Sequence, residues 1–109
     1  MARARTYSPV TKEAARLLGS QIRLARIERR WPLQDLADRV GVSRVTMRRI
    51  ERGDLTVGLG VAFEAASLVG VPLFDADPAR RSLEAAHVED RLAILPSRVI
   101  APEDPDDDF

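Results

Sequence analysis

Four arginines crowd into nine residues of this chain: Arg44, Arg48, Arg49 and Arg52, in the run Ser43-Arg-Val-Thr-Met-Arg-Arg-Ile-Glu-Arg-Gly53. On a helix starting at Ser43 these side chains share an outer face, while Val45 or Met47 turns inward with Ile50. Guanidinium groups serve two kinds of chemistry here. They grip phosphate oxygens, and they fork onto the O6 and N7 of guanine. A short helix precedes this one across Gly41-Val42-Ser43, with Leu36, Ala37 and Val40 inward. Leu33 to Gly53 therefore reads as two helices around a tight turn, with arginines on the outside of the second. That is a device for entering the DNA major groove.

The charge distribution supports this. The 109 residues carry 17 basic and 17 acidic side chains, for a net charge of zero. The balance is uneven, however. Residues 1–52 hold 13 Lys and Arg against 5 Asp and Glu, and residues 53–109 hold 4 against 12. The basic half contains the paired helices, and phosphate binding follows local charge rather than the total. The alternative is two solvated surfaces that merely differ in sign.

Enzymatic chemistry finds little support. There are no cysteines and one histidine, His87, so disulfides, thiolate sites and imidazole metal clusters are excluded, and no metal or cofactor is expected. His87 has Glu84, Glu89 and Asp90 nearby, and Glu84 and His87 share a helix face. There is no nucleophile set and no phosphate-cradling glycine loop beside them. An exposed helical histidine and no catalytic residue is the expectation. The absence of cysteine fits a reducing cytoplasm. No stretch of about 18 apolar residues suggests a membrane span, and MARARTYSP lacks the apolar core of a secretory signal.

The elements that position the arginines follow in order. Residues 1–10 read as a basic flexible arm. Thr11 to about Arg30 forms a long helix capped by Thr11, with Leu17, Ile22 and Leu24 apolar and Gly19 a weak point where the helix could break. It ends before Trp31-Pro32. Helix two runs from Pro32 to about Val40, Gly41 supplies the turn, Ser43 caps helix three and Gly53 closes it. A fourth helix spans Leu59 to Val69, with Leu59, Ala62, Phe63, Ala66 and Val69 at helical spacing. Val71 to Phe74 folds back, with Phe74 and Trp31 closing the core. Pro78 to about Leu92 forms a further helix. Leu92-Ala-Ile94-Leu95-Pro96 is too apolar to lie free in water and reads as a dimer or partner surface. Residues 101–109, APEDPDDDF, read as a disordered acidic tail. The tail has three readings: a solubilising segment, a partner-docking peptide anchored by Phe109, or a competitor for the protein's own basic face.

The ordered set Leu36-Ala37, Gly41-Val42-Ser43, Thr46-Met47, Ile50-Glu51 and Gly53, followed by Leu59 and Gly70-Val71, resembles the Xre/lambda-repressor class of helix-turn-helix regulators. The resemblance covers Leu18 to about Leu73. It implies an all-α, lambda-repressor-like five-helix DNA-binding domain with an extra C-terminal helix. The domain would occupy residues 11–75, with a dimerisation or partner segment at 76–100. The resemblance also implies a homodimer on an inverted-repeat operator in double-stranded DNA. The DNA-contacting set it implies is Ser43, Arg44, Val45, Thr46, Arg48, Arg49 and Arg52. Arg44, Val45 and Arg49 face bases, and Thr46, Arg48 and Arg52 lie near phosphates. Arg26 and Glu51 pair as a structural lock. The class often has Thr-Gln at the start of helix two, where glutamine meets a phosphate. Here Pro32-Leu33 stand there, with Gln34 one residue on.

Leu73-Phe74-Asp75 and Arg91-Leu-Ala-Ile-Leu-Pro-Ser-Arg-Val99 are similar to HipB-type antitoxins, the partners of HipA-like kinase toxins. That similarity implies a repressor acting on its own operon, with Leu92, Ile94, Leu95 and Phe109 as partner-binding residues. The alternatives are a stand-alone regulator of phage or metabolic genes and a protein-interaction module that does not bind DNA.

Overall fold

A computed structural model of the chain describes residues 5–99. Among these it contains five helices and no strands: α1 (Pro9–Glu28), α2 (Leu33–Val40), α3 (Arg44–Glu51), α4 (Leu59–Leu68) and α5 (Pro78–Ile94). The chain divides into two compact units between Leu73 and Phe74. The first unit holds α1 to α4 and the second holds α5. The tail at 101–109, Phe109 included, and the first four residues of the basic arm lie outside the described residues.

In the first unit, α3 packs against α1 and α2, and α4 packs against α1 and α2. The core is Ile22, Leu36, Ala37, Met47, Ile50, Ala65, Ala66 and Val69. Ile22, Leu36 and Met47 are fully enclosed, each worth roughly 1.5–3 kcal/mol relative to exposure. Of the two candidates for the inward position of helix three, Met47 is buried and Val45 is 68% exposed. Met47 and Ile50 lie three apart on one helical face.

Helix α1 begins earlier than Thr11. Ser8 is its N-cap, its hydroxyl accepting the Thr11 N–H at 3.4 Å. Pro9 takes the first helical position, where a missing N–H has no consequence. The helical chain thus starts within the stretch read as a flexible arm. Gly19 does not break the helix. A Cβ there would stand 2.6 Å from the Glu51 carbonyl oxygen and 2.7 Å from that of Ile50. This glycine allows α1 and α3 to cross closely. Of the apolar residues of α1, only Ile22 is enclosed, and Leu17 and Leu24 are exposed.

One further expectation is corrected. Phe74 does not close the core: it belongs to the second unit, is exposed, and has a left-handed backbone (φ 62°). Leu59 sits in the first turn of α4 and is exposed, and Phe63 is half-buried. Trp31 does pack against the core, with the Arg39 guanidinium 4.1 Å from its ring centroid and that of Arg29 at 5.4 Å.

The second unit is simpler. Asp77 caps α5, accepting the Ala79 N–H at 3.0 Å, and Pro78 follows at the first helical position. No residue of α5 is buried.

Candidate nucleic-acid interface

Three local devices set α3 in place. Gly41 ends α2 in a left-handed conformation (φ 86°) that glycine adopts without steric penalty. The Gly41 and Val42 N–H groups donate to the Ala37 carbonyl at 2.9 and 3.0 Å. Ser43 then caps α3, its hydroxyl accepting the Thr46 N–H at 3.0 Å and donating to the Thr46 hydroxyl at 3.0 Å. At the far end, Gly53 (φ 75°) forms a reverse turn in which the Asp54 N–H reaches the Arg49 carbonyl at 3.0 Å.

A bidentate ion pair fixes the helix against the scaffold. Arg26 Nε donates to Glu51 Oε2 at 2.7 Å, and Arg26 Nη2 to Glu51 Oε1 at 3.1 Å. Arg26 Nη1 also donates to the Trp31 carbonyl at 2.8 Å. One guanidinium thereby joins α1, the end of α3 and the connection to α2. Glu51 is the sole acidic residue of α3 and its carboxylate is turned inward.

What remains outside is positive. Ser43, Arg44, Val45, Arg48 and Arg52 are exposed, and Thr46 is half-buried. Arg44, Arg48 and Arg52 form no ion pair among the described residues. Arg49 differs from them. Its Nε donates to Asp54 Oδ2 at 2.9 Å, and its Nη2 donates to the Thr56 hydroxyl. Asp54 Oδ1 accepts from the Thr56 hydroxyl at 2.6 Å and the Thr56 N–H at 2.8 Å. These bonds, that from the Thr56 hydroxyl foremost and then that from Arg49, hold the Asp54 carboxyl well below the usual carboxylate range.

Reading the sequence alone missed Asp54 and Thr56. The signal was present, because Asp-x-Thr after a C-terminal glycine favours a side-chain-to-backbone turn. The front of α2 offers less than the usual glutamine: Leu33 packs against the core, and Gln34 donates to Asp38 at 2.8 Å one turn on.

In the second unit, Leu92, Ile94 and Leu95 are exposed, as is His87. Among the described residues no group of acidic or histidine side chains could hold a metal ion, and no helix is long and apolar enough to cross a membrane.

Comparison with protein families finds one described as a helix-turn-helix domain, whose model matches residues 17–83, more than half of the chain. No curated protein and no solved structure matches it.

Proposed function

This chain belongs to the helix-turn-helix domain family, and from that premise we propose that it is a sequence-specific repressor that reads the major groove with α3. The observation that carries the proposal is the division of α3 into two faces. Met47, Ile50 and Glu51 are buried, while Arg44, Val45, Arg48 and Arg52 point outward with no exposed acidic residue on the helix. Arg44 and Arg49 read bases, and Val45 meets a thymine methyl. Arg48, Arg52 and Thr46 hold the backbone and set the register. The protein acts as a homodimer on an inverted repeat, with half-sites one helical turn (~34 Å) apart.

Selection from a randomised duplex library, followed by fluorescence anisotropy at several salt concentrations, tests this. A consensus with twofold symmetry and affinity that falls steeply with salt are expected. Binding to no duplex at low salt refutes it and leaves a protein-interaction module.

The second half of the chain supports a second partner. Leu92, Ile94 and Leu95 are exposed, and they fall in the 91–99 stretch whose sequence resembles HipB-type antitoxins. On this reading the protein is the cytoplasmic antitoxin of a HipA-like kinase and regulates their shared operon. Co-expression and pull-down with the product of the adjacent gene tests it. A kinase-like neighbour retained on the column supports the antitoxin. A neighbour with no kinase sequence leaves a stand-alone regulator.

A further inference from the structure

We propose that Asp54 and Thr56 are positioning residues for base recognition: they hold the Arg49 guanidinium by one edge and present its other edge to a guanine. This rests on the reading of DNA through α3.

A guanidinium carries five N–H donors in a plane. The Nε hydrogen and one Nη2 hydrogen lie along one edge, and Asp54 and Thr56 take these two. Nη1 and the second Nη2 hydrogen make no hydrogen bond among the described residues. That pair forms the end of the fork, the edge that matches guanine O6 and N7.

The cluster is anchored by backbone. The hydrogen bond from Asp54 N–H to the Arg49 carbonyl brings the two residues together at the end of α3. Gly53, between them, lies hard against α1, where a Cβ would stand 2.7 Å from the Ala15 carbonyl carbon and oxygen. The Thr56 hydroxyl accepts from Arg49 and donates to Asp54, so the three side chains close a ring. An arginine held in this way loses less rotamer freedom on meeting a base than one that must be ordered at that moment.

Charge adds a second effect. Arg44, Arg48 and Arg52 present unpaired positive charge, which favours any phosphate. Asp54 offsets the charge of Arg49, weakening its pull on phosphates while leaving its directional donors in place. The cluster therefore lowers non-specific binding and raises discrimination. A loop that only stabilised the fold would do neither.

The test compares wild-type protein and variants on three duplexes: the one selected from a randomised library, the same duplex with the Arg49-dependent base pair exchanged, and an unrelated sequence. Arg49→Ala identifies that base pair. Asp54→Asn is expected to reduce discrimination there by about tenfold while binding the unrelated duplex as well as or better than wild type. Thr56→Val should follow Asp54→Asn, and Thr56→Ser, which keeps the hydroxyl, should follow wild type. In the Arg49→Ala background, Asp54→Asn should change discrimination no further. The proposal is overturned if Asp54→Asn weakens all three duplexes by one common factor, or if Thr56→Val and Thr56→Ser behave alike. A wild-type protein that selects no consensus removes the DNA-reading function and this inference with it. A clear consensus that Asp54→Asn leaves intact removes this inference alone.

Discussion

Replacing Glu51 by glutamine changes charge and hydrogen bonding while keeping shape. In the native protein both carboxylate oxygens accept from Arg26, at 2.7 and 3.1 Å, and the two side chains are only 12% (Arg26) and 5% (Glu51) exposed. Glutamine sets an NH2 group where one oxygen stood. Two donors then face each other, and the guanidinium loses its counter-charge. Removing one partner of a buried pair costs about 3–5 kcal/mol. Arg26 retains some solvent contact and its 2.8 Å bond to the Trp31 carbonyl, which places the expected loss at the low end, about 3 kcal/mol. For a domain of this size that corresponds to roughly 12–24 °C in Tm. Urea unfolding followed by circular dichroism measures it. Combining Arg26→Met with Glu51→Leu should recover much of the loss, because neither charge is then left alone. A loss under about 1 kcal/mol for Glu51→Gln, the value of an exposed pair, refutes the assignment of this pair as the lock between α1 and α3.

Two glycines inside helices should respond with opposite signs to alanine. Gly60→Ala adds a Cβ in open space and is expected to stabilise by about 0.5–1 kcal/mol, whereas Gly19→Ala drives a Cβ into the α3 carbonyls and is expected to destabilise by about 1–3 kcal/mol; thermal melts of the two variants decide. Ser43→Ala removes the cap of α3 and should cost about 1 kcal/mol in urea unfolding. Arg52→Ala should weaken all duplexes alike and lower the salt slope by about 1. The depressed Asp54 carboxyl contributes fully above its unfolded value of about 3.8 and loses that contribution only as pH falls through its lower folded value. Discrimination at the Arg49-dependent base pair should therefore stay constant from about pH 8 to about pH 5, and a decline centred near pH 6 would assign it to another group.

The helix-turn-helix was legible because several local signals agree there. Leu36, Ala37, Met47 and Ile50 repeat at helical spacing, Gly41 allows the turn, and Ser43 begins the next helix. The start of α1 is ambiguous in sequence because Ser8-Pro9 suits a turn and a helix N-terminus equally well; in the structure the Thr11 N–H on the Ser8 hydroxyl and the Lys12 N–H on the Ser8 carbonyl mark the helix. Gly19 looked like a weakness because propensity is a local quantity, whereas its role is the close passage of α3. Size alone suggests Phe74 for the core, but size says nothing of the direction a left-handed residue gives its side chain. A helical wheel groups Arg49 with the outer arginines, whereas it is half-buried beside Asp54 and Thr56, which reach it from the loop beyond Gly53 and which no wheel contains.

Whether α3 is the surface that meets DNA is decided by titrating isotopically labelled protein with the selected duplex and following backbone amide resonances. The largest changes are expected on residues 43–49 and on Asp54 to Thr56. Changes concentrated in α5, with α3 unmoved, would contradict that role for α3.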